Sequence, residues 1–238
     1  MKEKIINFSK LLGSFFLFLY SSYIVKFIFN LFNVDISTFG ILGKTLLNLG
    51  LSIFLTIVII LIYFKDVKKD FLEFKRNWKS KMLFALKIFA IFMVIKIFAS
   101  YISVILSNIF NITEITSENQ NTITDLLGQY PILMIVSAVG LAPIYEEILF
   151  RLGFKKCLKN KWGFIIISGS LFGLIHIFPT DLNLGVALIQ SIVYVVMGIS
   201  LAYYYQKYSN IFYSIAIHFY NNLLSIIFIL LSFLINLM

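Results

Sequence analysis

The sequence predicts an all-α polytopic membrane protein, a bundle of about seven transmembrane helices whose unusual residues gather in the last four. Three observations carry that prediction. Of the 238 residues, 60% are hydrophobic and only 13% are charged, and the mean hydropathy is +0.94, well outside the range of soluble domains. The apolar residues fall in runs of about 20, the length a helix needs to cross a hydrocarbon core of about 30 Å. The cations sit in short segments between those runs, where they set topology and meet anionic lipid. The formal net charge of +9 is therefore a membrane signature, and nucleic acid is excluded as a partner.

Taken in order, Lys2, Lys4 and Lys10 precede a first span from about Leu11 to Phe32. It has no small-residue cleavage pattern and reads as retained, with its start on the cytoplasmic side. Lys26 near its far end can snorkel to the interface. A second span runs from about Leu46 to Phe64. The stretch Lys65 to Lys81 holds Lys68, Lys69, Lys75, Arg76 and Lys79 as well, and reads as a solvated cytoplasmic loop. The third span, about Met82 to Val104, carries Lys96 deep inside it. The polar segment Asn111 to Gln129 contains Glu114, Glu118 and Asp125 but no Lys or Arg, which predicts an external loop. Span four is Pro131 to about Gly153. After the cluster Arg151, Lys155, Lys156, Lys159 and Lys161 comes a fifth, Trp162 to Phe178, closed by Pro179. An outside turn at Asp181 leads to a sixth, about Leu182 to Tyr204, and a seventh runs from about Ile211 to Met238. The one cysteine, Cys157, excludes an intrachain disulfide. No linker or repeat divides the chain, so it reads as one integral helical domain with an N-terminal part, 1–130, and a C-terminal core, 131–238.

The fourth span contains Ala142-Pro143-Ile144-Tyr145-Glu146-Glu147-Ile148-Leu149-Phe150-Arg151. An ionisable side chain at mid-membrane costs on the order of 2.5 to 3.5 kcal/mol, so two carboxylates and an arginine there call for partners or for chemistry. At roughly 100° per residue, Glu147 and Arg151 share a face and pair, while Glu146 points about 100° away and is left free. Pro143 removes a helical N–H and clashes with the Val139 carbonyl, predicting a kink or local opening just ahead of the carboxylates. The two histidines lie in later spans. Phe172 and His176 share one face at i, i+4, and Gly169 and Gly173 give that helix a small-x-x-x-small surface for close approach. His218 and Asn222 share a face in the last span, where an amide can orient an imidazole or help to hold an oxyanion. One free glutamate, two histidines and an asparagine on three helices form an acid–base and oxyanion kit.

The ordered set Glu146-Glu147-x-x-x-Arg151, Phe172-x-x-x-His176 and His218-x-x-x-Asn222 resembles the three motifs of the CPBP family, intramembrane proteases related to type II CAAX prenyl endopeptidases and to bacteriocin-immunity (Abi) proteins. The resemblance covers about Pro131 to Leu224, and nothing before Pro131 contributes. It implies a catalytic core in the last four spans. It also implies that Glu146 activates water for attack on a peptide bond, that His176 and His218 assist or hold the site, and that Asn222 stabilises the oxyanion, with Glu147, Arg151 and Phe172 in support. The expected activity is an intramembrane endopeptidase of a multi-pass cell-membrane protein, acting on a membrane-associated peptide or protein in bacteriocin immunity or peptide processing. A non-catalytic partner that binds a bacteriocin, an export system or a sensor kinase is the alternative. A small-solute transporter fits less well, because a proton relay would string acids through the membrane and Glu146 and Glu147 are the only acids in the assigned spans. No cofactor is expected. If zinc were held, its ligands would be His176 and His218, but a His-Glu-x-x-His helix is absent.

Overall fold

A computed structural model describes residues 2–112, 118–177 and 182–236, apart from the side chains of 118–120 and 236. Its helices are α1 (Lys2–Leu31), α2 (Ile41–Ile62), α3 (Phe64–Lys75), α4 (Trp78–Ile109), α5 (Glu118–Gln129), α6 (Pro131–Cys157), α7 (Lys161–Leu174), α8 (Leu184–Tyr208) and α9 (Ile211–Asn236). Among the described residues there is no strand, and α1, α2, α4, α6, α8 and α9 are long and apolar enough to cross a membrane. Their outer faces are apolar: on α4, Ile91, Val94, Phe98 and Ile105 are exposed at the surface, as residues facing lipid rather than water would be. The chain is an all-α polytopic membrane protein.

Three expectations need correction. The fifth apolar run forms a helix of only 14 residues, which rises about 21 Å and falls short of the ~30 Å core; six helices, not seven, reach spanning length. Apolarity was counted there, but the helix ends in a tight turn, with the His176 and Ile177 N–H groups bonded to Gly173 and Leu174. The stretch Lys65 to Lys81 is largely helical. Its charges mask a period of buried positions at Val67, Asp70 and Phe74 on α3. Asp70 ties that helix to the bundle, its carboxylate accepting from the Ile211 N–H at 2.9 Å, while Asn210 Nδ2 donates to the Asp70 carbonyl at 2.9 Å. The polar segment ahead of Pro131 likewise contains α5, where Leu127 is buried against Met134, Val139 and Ile226. Glu114, Pro179 and Asp181 lie outside the described residues.

Helix α6 is the axis of the bundle. Ile148, Leu149 and Phe150 are consecutive and all fully buried, which requires neighbours on every side. Leu11, Leu55, Ile59 and Phe92 from the first half join the same core as Phe164, Phe172, Leu201 and Ile217. Two stretches of α6, Ile135–Leu141 and Ile148–Gly153, are wound as π-helix. The first leads directly into Pro143, where the Ala142 N–H bonds the Ser137 carbonyl five residues back. A wider turn gives the proline ring room, so the expected local opening takes this form.

Helices α7 and α8 pack antiparallel at glycines. A side chain on Gly169 would overlap the Ile199 backbone, and one on Gly173 the Val195 backbone. Without a hydrophobic drive between helices in lipid, such close backbone approach is a main source of packing energy. It brings Tyr194 of α8 into a stack with His176, ring centroids 5.2 Å apart.

Candidate active site

The two glutamates of α6 diverge as helix geometry requires. Glu147 and Arg151 are both fully buried. Arg151 Nε donates to Glu147 Oε2 at 2.9 Å and Nη2 to Oε1 at 3.3 Å, a bidentate pair. The guanidinium also reaches Ser168 Oγ at 3.1 Å, and its carbon lies 4.7 Å from the Phe172 ring centroid. Ser214 Oγ donates to Glu147 Oε2, and His218 Nδ1 lies 3.1 Å from Oε1. Glu147 thus links α6 to α9, while Arg151 links α6 to α7.

Glu146 faces the other way. It lines a cavity of about 440 Å³ together with His176, His218, Asn221, Asn222 and Lys96. Its Oε2 has no hydrogen-bond partner among the described residues. His176 Nε2 and His218 Nε2 each lie 3.9 Å from that oxygen. The tautomers follow from the opposite ring nitrogens. His176 Nδ1 lies 2.7 Å from the Phe172 carbonyl, and a carbonyl only accepts, so Nδ1 carries the hydrogen. That carbonyl is one the ending helix leaves unbonded, and the ring caps it. His218 Nδ1 donates to the Glu147 carboxylate in the same way. With the hydrogen on Nδ1, the neutral form of either ring turns an Nε2 lone pair toward Glu146. Three acceptors converge on one space, an arrangement suited to a bound proton donor.

Asn222 Nδ2 donates to the Ala138 carbonyl at 2.8 Å, and Asn221 Nδ2 donates to Asn222 Oδ1 at 2.9 Å. The amide is fixed at both ends and keeps a second N–H. It does not orient His218, contrary to one expectation; Glu147 does that. Lys96, unexplained in the sequence, donates to Asn221 Oδ1 at 2.6 Å. On the α2 side the wall is polar, with Ser52 Oγ 2.8 Å from Ser137 Oγ and Asn48 Nδ2 3.4 Å from it.

Sequence reasoning missed Ser168 and Ser214, although a signal was present: each sits four residues before a motif residue, extending the stripes Phe172–His176 and His218–Asn222 back by one turn. It also missed Asn221, Asn48, Ser52, Ser137 and Tyr194, for which the spacing carries no signal.

A zinc ion held tetrahedrally by bonds of 2.0–2.1 Å needs donors about 3.3 Å apart. The spacing of 3.9 Å from Glu146 to either histidine is wider, and among the described residues no three His, Cys, Asp or Glu side chains are grouped to hold a metal. This donor set does not fit zinc as it stands.

With this geometry in view, the comparisons with known proteins become interpretable. Residues 128–224 match the family of Rce1-like type II CAAX prenyl endopeptidases. The UPF0177 protein YxdF of Lactococcus lactis subsp. lactis strain IL1403 is 32% identical over 124 residues, 51% of this chain and 68% of its own length. The chain belongs to the CPBP family. Another relative is the protein of Bacillus subtilis strain 168 named "Putative membrane peptidase YdiL", 32% identical over 109 residues, 44% of this chain. The chain covers only 41% of that protein's length. No solved structure matches the chain. All the motif residues of the CPBP resemblance fall within the matched stretch, whereas Lys96, Asn48 and Ser52 lie outside it.

Proposed function

We propose that this CPBP protein is an intramembrane endopeptidase in which Glu146 activates water against a peptide bond of a membrane-associated peptide or protein. The observation that carries this reading is the convergence of Glu146 Oε2, His176 Nε2 and His218 Nε2, with 3.9 Å from the carboxylate oxygen to each ring nitrogen. A water among them donates its hydrogens to these acceptors. Glu146 takes one proton as the water oxygen bonds to the carbonyl carbon, and the second N–H of Asn222 receives the oxyanion. The C–N bond then breaks as Glu146 returns the proton to the leaving amine. Because the donor spacing is too wide for zinc, no step uses a metal. The catalytic groups come from α6, the turn that ends α7, and α9, so 131–238 acts as the core and the preceding helices as its support. The basic segments around α3 and Lys155–Lys161 support a cytoplasmic N-terminus in a cell-membrane protein. The bacterial relatives favour peptide processing or bacteriocin immunity over prenylated substrates.

The test is cleavage of an acylated peptide library by the full chain in nanodiscs, read by mass spectrometry. The intact protein should cut, Glu146→Gln should not, and a chelator should leave the cutting unchanged. A Glu146→Gln variant with the same cellular phenotype as the intact protein at equal abundance, and no cutting by either in nanodiscs, would instead favour a non-catalytic membrane partner. Activity lost to a chelator and restored by zinc would overturn the metal-free step.

A further inference from the structure

Lys96 lies midway along α4, outside the stretch that matches the family. Its ammonium lines the same cavity as Glu146. A cation at that depth is costly unless something answers it. Arg151, the other deep cation, is answered by Glu147. Among the described residues Lys96 is answered only by a neutral amide, Asn221 Oδ1, at 2.6 Å. Among the described residues no carboxylate lies within ion-pair distance of it, and the only described carboxylate that lines the cavity, Glu146, is faced by the two histidines instead. An ammonium has three N–H donors, and one is spent on Asn221. The others belong to the cavity that the side chain lines.

The position of Lys96 relative to the chemistry is also fixed. Lys96 holds Asn221, Asn221 holds Asn222, and Asn222 holds the Ala138 carbonyl. Any chain bound with its scissile carbonyl at Asn222 therefore runs within a few side chains of a positive charge. In a cavity lined mostly by buried and half-buried side chains, such a charge discriminates by the sign of what approaches it.

We infer that Lys96 is a specificity-determining residue that reads a carboxylate of the substrate, either an acidic side chain or a free C-terminus near the scissile bond. The inference rests on the endopeptidase reading for its meaning, but its test does not. The full chain is reconstituted in nanodiscs as Glu146→Gln, so that bound peptide is retained, and is offered short N-acylated peptides with and without Asp and Glu, each as free acid and as C-terminal amide. Captured peptides are identified by mass spectrometry.

Forms bearing a carboxylate should be enriched about tenfold over forms without one, the worth of one charge-assisted hydrogen bond. The comparison of amide with free acid then says whether the side chain or the terminus supplies it. Lys96→Gln keeps a donor toward Asn221 and should lose the preference, whereas Lys96→Arg should keep it. Indifference to the carboxylate, no capture of any form, or a preference that survives Lys96→Gln overturns the inference. If Lys96→Gln fails to fold, Lys96→Met takes its place, and indifference of the protein with Lys96 intact to the carboxylate overturns the inference by itself. Incubating the same peptides with the chain carrying Glu146 separates the two readings. Carboxylate capture without cleavage removes the endopeptidase and leaves Lys96 its role; cleavage without preference does the reverse.

Discussion

Glu146 and Glu147 are one residue apart on α6 and sit in opposite surroundings. Glu147 is saturated: its two oxygens accept from Arg151 Nε, Arg151 Nη2, Ser214 Oγ and His218 Nδ1, about as many bonds as a carboxylate has lone-pair sites. Glu146 Oε2 has none among the described residues and lies 3.9 Å from the Nε2 of each histidine. One charge is spent on joining three helices, and the other is kept available. The difference teaches that identical side chains at adjacent positions are assigned structure or chemistry by a rotation of about 100°.

The sharpest way to break this contrast is Glu147→Gln. It leaves Arg151 as an uncompensated buried charge, a defect on the order of 3 to 5 kcal/mol, and deprives His218 of its anionic partner. Folded yield and detergent Tm should both fall, and activity with them. Adding Arg151→Gln removes the stranded charge and should restore part of the Tm but not the activity. Next comes Glu146→Gln, which should leave Tm unchanged while cleavage drops by about 10²–10⁴-fold, the usual worth of a general base. If Glu146→Gln unfolds the protein while Glu147→Gln stays folded and inactive, the two roles are reversed.

Gly173→Ala tests the contrast from the side of packing. The added methyl meets the Val195 backbone, which cannot rotate away, so about 1–3 kcal/mol of overpacking is expected, read as a lower Tm. Activity should fall further than stability, because His176 moves with the separating helices. The smallest effect lies outside the membrane, at Asp70. Burial there outweighs the Ile211 N–H and holds its carboxyl above the ordinary range. A raised carboxyl favours the fold while protonated and loses that contribution as pH rises through its folded pKa. Asp70→Asn keeps the acceptor without the charge, so its Tm relative to the parent protein should climb from about pH 4 to about pH 8. A flat difference would mean that the charge at Asp70 is well solvated.

Much of the membrane architecture was legible, because length and apolarity are written residue by residue. The Glu147–Arg151 pair and the isolation of Glu146 were legible for a related reason, since contacts within one helix follow from spacing alone. What was not legible joins different helices. Nothing in the sequence says that Lys96 meets Asn221 or that Glu147 also orients His218, because those contacts depend on how helices cross. Helix α3 was misread although Val67, Asp70 and Phe74 held the signal, since its eight-residue span of buried positions is interrupted by lysines. The short α7 was misread because a count of apolar residues cannot register where a helix unwinds.

The π-wound turn ahead of Pro143 links backbone register to the Asn222 amide. In an α-helix the Ala138 carbonyl would take the N–H of residue 142, but here that N–H belongs to Ser137. In the π register its partner is residue 143, a proline, which has no hydrogen to give. The carbonyl is thus left unclaimed by its own helix, and Asn222 takes it from α9. What aims the amide is an atom that is missing: any other residue at position 143 would bring a competing donor, and Asn222 would no longer be the carbonyl's sole suitor.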